Sequence, residues 1–121
     1  MFKETLNSIL DCTEGAIGAI IMGTDGIAVE KVLRNEGAEA NLDVAAAEFT
    51  SLVRNAQRTG NDTGLGSLHE LVIVLDSVTM IMRLFNRDYF IALALKPDGN
   101  LGRGRFELRK AELELAREFV V

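Results

Sequence analysis

The sequence predicts an α/β sandwich (α+β), a five-stranded, mostly antiparallel sheet with helices on both faces, in the order αββαβββα. Three observations predict it. Apolar residues recur at helical spacing in three segments and at strand spacing in five. The strand-like runs come as a pair and then a triple, joined by short polar turns, so sequence neighbours should pair antiparallel. Alternating strand-helix-strand units are absent, which sets aside a doubly wound nucleotide fold. At 121 residues, 48% of them hydrophobic, the chain suits one domain spanning 1–121 with its own core.

Phe2, Leu6, Ile9 and Leu10 fall on one face of an opening helix that runs to about Thr13 and stops near Gly15. Ala16 to Met22 is apolar on both parities, meets Thr24-Asp25-Gly26, and resumes as Ile27 to Leu33, the pattern of a hairpin. The first of these strands suits a sheet covered on both faces; the second, with Glu30 and Lys31, suits an edge. A polar loop through Glu36 to Ala40 leads to a helix capped by Asn41 or Asp43 and ended by Gly60. Ala45, Phe49, Leu52, Val53 and Ala56 share its apolar arc, and Ala47, Thr50, Ser51, Arg54 and Arg58 its opposite face. Strands follow over Leu68 to Leu75, Val78 to Phe85 and Tyr89 to Leu95, and a last helix runs from about Leu101 to Val120.

The chemistry available is sparse. One cysteine excludes an internal disulfide, and one cysteine with one histidine cannot build a four-ligand zinc site. A reducing, cytoplasmic address is the expectation. The net charge of −5 argues against nucleic-acid binding. It is unevenly spread, because residues 1–49 hold nine acids and three bases, net −6, and residues 50–121 nine acids and ten bases, net +1. Charge interrupts the N-terminal residues before any apolar run develops, which opposes a signal peptide, and no uncharged stretch is long enough to span a bilayer.

The glycine cluster from Gly99 to Arg105 lies between a strand and a helix, where a phosphate cradle would sit. It matches neither the Walker A spacing nor the dinucleotide fingerprint, and reads instead as a tight turn and a close helix-to-sheet approach. His69 could pair with Ser67 as base and nucleophile, since residues two apart share a strand face, yet no oxyanion motif or orienting acid accompanies them. Cys12, beside Asp11 and Glu14, reads as an ordinary semi-buried cysteine. Met22, Met80 and Met82 read as core filling.

The surfaces say more. Leu71-Val72-Ile73-Val74-Leu75 carries no charge or proline, and at a sheet edge such a strand is a hazard unless another chain pairs with it. The last helix has one stripe of Leu101, Leu108, Ala111, Leu115 and Phe119 for the sheet. Its second stripe, Phe106, Leu113 and Val120, needs either the first helix or a second molecule, and packing on the first helix is the leading expectation.

Several stretches, in this order and spacing, carry a family likeness: Gly15 to Met22 followed by Thr24-Asp25-Gly26-Ile27; the alanine-rich Val44 to Phe49; Leu65 to Leu71; and Asn100 to Leu108. Together they resemble the roadblock family, the dynein light chain and bacterial gliding-motility GTPase-regulator group, over nearly the whole chain. The resemblance implies a roadblock/profilin-like fold and a homodimer in which the third strand pairs with its twin and the central helices lie side by side. It implies that Leu71, Ile73 and Leu75 join the extended sheet and that Phe49, Leu52, Val53 and Ala56 line the inner face of the helix pair. In family members that act on small Ras-like GTPases the outer face of the paired helices meets the GTPase, here Ala47, Thr50, Ser51, Arg54 and Arg58. An arginine-finger role for Arg54 ranks below recognition of an acidic surface, because bacterial relatives are understood to remodel the GTPase's own switch segments.

The expectation is therefore a non-enzymatic, cytoplasmic homodimer that regulates or scaffolds a small GTPase in a motility or cell-polarity setting, with no cofactor, no metal, no nucleic acid and no membrane insertion. A GTPase-activating effect on the partner is compatible with it. The rivals are a small-molecule-sensing module of profilin or PAS type, a cargo adaptor of dynein-light-chain type, and a hydrolase using His69 with Ser67. The sensor reading predicts an apolar pocket on the sheet with Thr79 and Arg83 as polar anchors.

Overall fold

The computed structural model describes residues 2–34 and 39–118. Helix α1 (Phe2–Cys12) is followed by β1 (Ala16–Gly23), β2 (Ala28–Leu33), α2 (Glu39–Asp62), β3 (Glu70–Val74), β4 (Thr79–Leu84), β5 (Tyr89–Leu95) and α3 (Leu101–Glu118). The predicted order αββαβββα and the α+β sandwich are what the chain adopts. Strand order across the sheet is β2-β1-β5-β4-β3, and every neighbouring pair is antiparallel. Both edges are therefore hairpin partners, β2 of β1 and β3 of β4.

Several boundaries differ from the sequence expectation, most by a single residue. The central helix starts at Glu39, so Asn41 and Asp43 lie inside it rather than capping it; Asp43 instead forms an ion pair with Lys31 on β2. It continues to Asp62, two residues beyond Gly60. Strand β3 begins at Glu70, not Leu68. The expected loop residues 36–38, and Phe119 and Val120 of the last helix, lie outside the described residues.

The sheet separates two cores, as period-2 alternation requires. On one face Ile21, Ile81, Ile91, Leu93 and Leu95 meet Leu6, Ile9 and Leu10 of α1 and Leu108, Ala111 and Leu115 of α3. On the other, Ile20, Met22, Met80, Met82, Leu84 and Phe90 meet Leu42, Ala46 and Val53 of α2. The three strand methionines are fully buried fillers here. Two close approaches explain the glycines. A Cβ on Gly15, whose φ is +86°, would collide with the Gly99 backbone, and one on Gly104 would sit 3.0 Å from Leu93 Cδ2. Asn100 caps α3 by accepting the Arg103 amide at 3.0 Å. The glycine-rich turn thus seats α3 on the sheet.

Candidate functional site

Helix α2 has more apolar surface than its own sheet can cover. Leu42, Ala46, Thr50 and Val53 are buried against the sheet, whereas Ala45, Phe49 and Ala56 on one flank are half-buried and Leu52 is 45% exposed. That flank looks toward β3. A cavity of about 340 Å³ opens between that flank and the β3–β4 turn, lined by Leu42, Ala45, Phe49 and Met80 with Leu75, Asp76, Ser77 and Val78 of the turn.

Strand β3 leads into that turn and ends the sheet. It pairs with β4 from Glu70 opposite Arg83 to Val74 opposite Thr79, and its other side has no strand beside it among the described residues. Leu71 and Ile73 lie on the α2 side, half-buried, while Val74 is 70% and Leu75 51% exposed. A bare backbone edge and an uncovered helix flank thus form one continuous apolar margin.

The opposite flank of α2 is polar. Ser51, Arg54 and Arg58 are exposed and Ala47 is half-buried. The Arg54 guanidinium donates to the carbonyl of Thr24 in the β1–β2 turn, Gln57 Nε2 donates to the Arg87 carbonyl in the β4–β5 turn at 3.1 Å, and Arg58 donates to the Asn55 side-chain oxygen. Neither arginine meets a carboxylate among the described residues.

Two placements differ from the expectation. Thr50, assigned to the outward face by helical spacing, is 4% exposed; its hydroxyl donates to the Ala47 carbonyl at 2.6 Å, so burial strands no polar group. Val53, assigned to the inner face of a helix pair, is fully buried in the core of its own chain. The helix is rotated so that its sheet-facing line runs through Leu42, Ala46 and Val53 rather than through Phe49 and Leu52. Phe49, Leu52, Ala56, Leu71, Ile73 and Leu75 all lie along the margin.

Elsewhere, Cys12 is exposed rather than semi-buried. Ser67 and His69 are both exposed beside a polar cleft of about 300 Å³, with no hydrogen bond between their side chains. Arg83 is bonded to Glu112 of α3 at 2.8 Å, and Thr79 shares its sheet face. Thr79 and Arg83, the polar anchors expected of a sensor, therefore point away from that cavity, whose polar lining is Asp76 and Ser77. Among the described residues no group of acids, histidine and cysteine could hold a metal ion, and no helix is long and apolar enough to cross a membrane.

No protein-family model and no curated protein matches the chain. Solved structures do. MglC from Myxococcus xanthus is 35% identical, with 98% of each chain covered and a TM-score of 0.74. A Roadblock/LC7 domain from Streptomyces avermitilis is 13% identical with a TM-score of 0.84 over 98% of this chain and 97% of that one. The gliding protein MglB from Thermus thermophilus is 18% identical with a TM-score of 0.82, covering 95% of this chain and 85% of that one.

Proposed function

Because the chain belongs to the roadblock/LC7 family, of its gliding-motility type, we propose that it is a homodimeric regulator or scaffold of a small Ras-like GTPase. It has no catalytic role of its own in this reading, and it works in the cytoplasm, in motility or cell polarity. The observation that carries the proposal is the apolar margin of α2 and β3. Two copies related by a two-fold axis would pair their β3 edges antiparallel, so that the Leu71 and Ile73 rows continue from one sheet into the next. The same operation brings the two α2 flanks together over the joined sheet, with Phe49, Leu52 and Ala56 of each facing the other. A dimer of this kind should bury upwards of roughly 1,000 Å².

The helix pair would then offer Ser51, Arg54 and Arg58 outward, a polar and cationic surface suited to an acidic patch on the GTPase. Thr50 takes no part, and Ala47 contributes only its edge. Since Arg54 already serves the Thr24 carbonyl, Arg58 is the stronger candidate for a partner's carboxylate. The test is light scattering of the purified chain together with binding to purified small GTPases of the same host, each loaded with GDP and with a non-hydrolysable GTP analogue. A dimer that binds one nucleotide state in preference supports the proposal. A stable monomer at micromolar concentration removes the platform.

A further inference from the structure

The margin of α2 and β3 has a hole at one end and a knob at the other. The hole is the cavity of about 340 Å³ between the α2 flank at Leu42, Ala45 and Phe49 and the β3–β4 turn. The knob is Leu65, 85% exposed in the loop that joins α2 to β3. It stands between Gly64 at φ +74° and Gly66 at φ +110°, conformations that a side chain would resist. The Gly66 amide bonds the Gly60 carbonyl at 3.0 Å, and the Thr63 amide and hydroxyl both bond the Thr59 carbonyl, so the loop is tied to the end of the helix. A single exposed leucine is ordinary on a protein surface; here the placement is what counts.

Gln57 and Asn61 share a cleft with Ser67 and His69, while Ala45 and Phe49 share the cavity with Leu75 and Val78, so α2 runs antiparallel to β3 and the middle of the margin falls near Leu52 and Val72. The Leu84 amide bonds the His69 carbonyl and the Leu75 amide the Val78 carbonyl, which turns the odd-numbered residues of β3 toward β4 and leaves the peptide groups of Glu70, Val72 and Val74 on the bare edge. Two such edges that overlap in full set Val72 opposite its twin, and the two-fold axis then passes near Leu52 as well. Gly60, which anchors the Leu65 loop, lies about 12 Å from Leu52 along the helix in one direction and Ala45 about 10 Å in the other. Rotation about the axis exchanges these ends. Leu68 of each chain falls opposite Asp76 of its twin, and the Leu65 loop, which climbs from the sheet at Ser67 to the helix at Gly60, arrives where the twin's cavity opens between the same two levels.

We infer that Leu65 of each copy inserts into this cavity of the other, so that the dimer is closed by a reciprocal pair of plugs. The inference rests on the homodimer reading and adds the residue that completes its interface. The side chains of Asp76 and Ser77 at the cavity mouth, and the amides of Leu65 and Ser67 on the loop, have no hydrogen-bond partner among the described residues, so acceptors on one copy meet donors on the other around an apolar centre.

Sedimentation equilibrium of the full chain tests it. Leu65→Ala should weaken the dimer by at least about tenfold, since both copies lose the plug, and in Leu52→Asp monomers the same change should leave the thermal midpoint unmoved. With the exposed Cys12 replaced by Ser throughout, a short bismaleimide should join Leu65→Cys chains to Ala45→Cys chains in a mixture, and neither kind to itself. A monomeric unaltered chain overturns the homodimer reading and this inference together. A dimer whose dissociation constant ignores Leu65→Ala, or in which Leu65→Cys fails to reach Ala45→Cys or links only to its own kind, overturns the inference alone and leaves the homodimer standing.

Discussion

Arg54, at the middle of α2, donates to the carbonyl oxygen of Thr24, so the helix and the β1–β2 turn are held together by a charged donor and a backbone acceptor. The bond belongs to the fold rather than to a partner. Arg54→Ala should cost about 1–2 kcal/mol, as loss of a charge-assisted hydrogen bond at an exposed site does, and should speed hydrogen exchange of the Gly26 amide, which bonds the Gly23 carbonyl. Chemical denaturation and exchange measured on the same variant check it.

Arg58 gives the contrasting outcome. Among the described residues its guanidinium reaches only Asn55, one turn back on the same helix, so Arg58→Ala should change stability by less than about 0.5 kcal/mol. Binding to the GTPase, measured by calorimetry, should nevertheless fall several-fold. An Arg58→Ala protein that binds undiminished removes that residue from the contact surface.

Leu52 is nearly half exposed, and Ile73 half-buried on the edge strand. Leu52→Asp should therefore leave the fold of each chain intact while placing two carboxylates against each other at the proposed two-fold axis. Light scattering should show monomers, and the thermal midpoint should lose its dependence on protein concentration. A concentration-independent midpoint already in the unaltered chain would contradict the dimer.

Gly15 sits at φ +86°, with the Gly99 backbone where a side chain would begin. The amide of Asn100 bonds the Glu14 carbonyl at 2.9 Å, and that of Lys96 bonds the Gly15 carbonyl at 2.8 Å, so the turn after α1 and the turn before α3 are laced together. Gly15→Ala should destabilise by about 2 kcal/mol or more, from left-handed strain plus displacement of the neighbouring turn. Gly64, also at positive φ but in open space, should show the strain alone, about 1 kcal/mol. Urea unfolding of the two alanine variants side by side checks the difference.

Arg83 bridges three elements. On β4 it reaches Glu112 of α3 at 2.8 Å and lies 3.6 Å from Glu70 of β3, with only 16% of its side chain exposed. Arg83→Met keeps the volume and removes the charge, leaving Glu112 without its cation while Glu70 retains Arg105. A loss of about 1–3 kcal/mol by urea unfolding is expected, and Glu112→Gln introduced together with Arg83→Met should recover part of it.

The elements were legible because their signals are local. The Asp25-Gly26 turn, the Pro97-to-Asn100 stop and the two polar turns of the meander mark chain reversals through side chains that bond their own backbone, as Asp25 does to the Ile27 amide at 3.0 Å. The bare apolar run of β3 was readable as a strand that needs a partner if it lies at an edge; that it does lie there follows from the sheet order, which its own residues do not dictate. Helix rotation was not readable. Periodicity gives the width of an apolar arc but not which half of it meets the sheet, and Thr50 could turn inward because the Ala47 carbonyl satisfies its hydroxyl within the helix. The same limit hid the exposure of Phe106 and Leu113, whose surroundings depend on where α1 crosses α3. Of the α2 residues expected on the inner face of a helix pair, Phe49, Leu52 and Ala56 lie on the flank that the sheet leaves uncovered and Val53 does not, a difference of a fraction of a turn.

The far side of the sheet differs from β3 in a way that bears on how assembly ends. Strand β2 carries Glu30 and Lys31, the latter tied to Asp43, and its register with β1 shifts between Ile21 and Met22. Charge and irregular pairing there discourage any newcomer. A molecule with one welcoming margin and one guarded margin can recruit a single twin and then stop. The same ribbon architecture with both margins bare would grow without limit into a fibre.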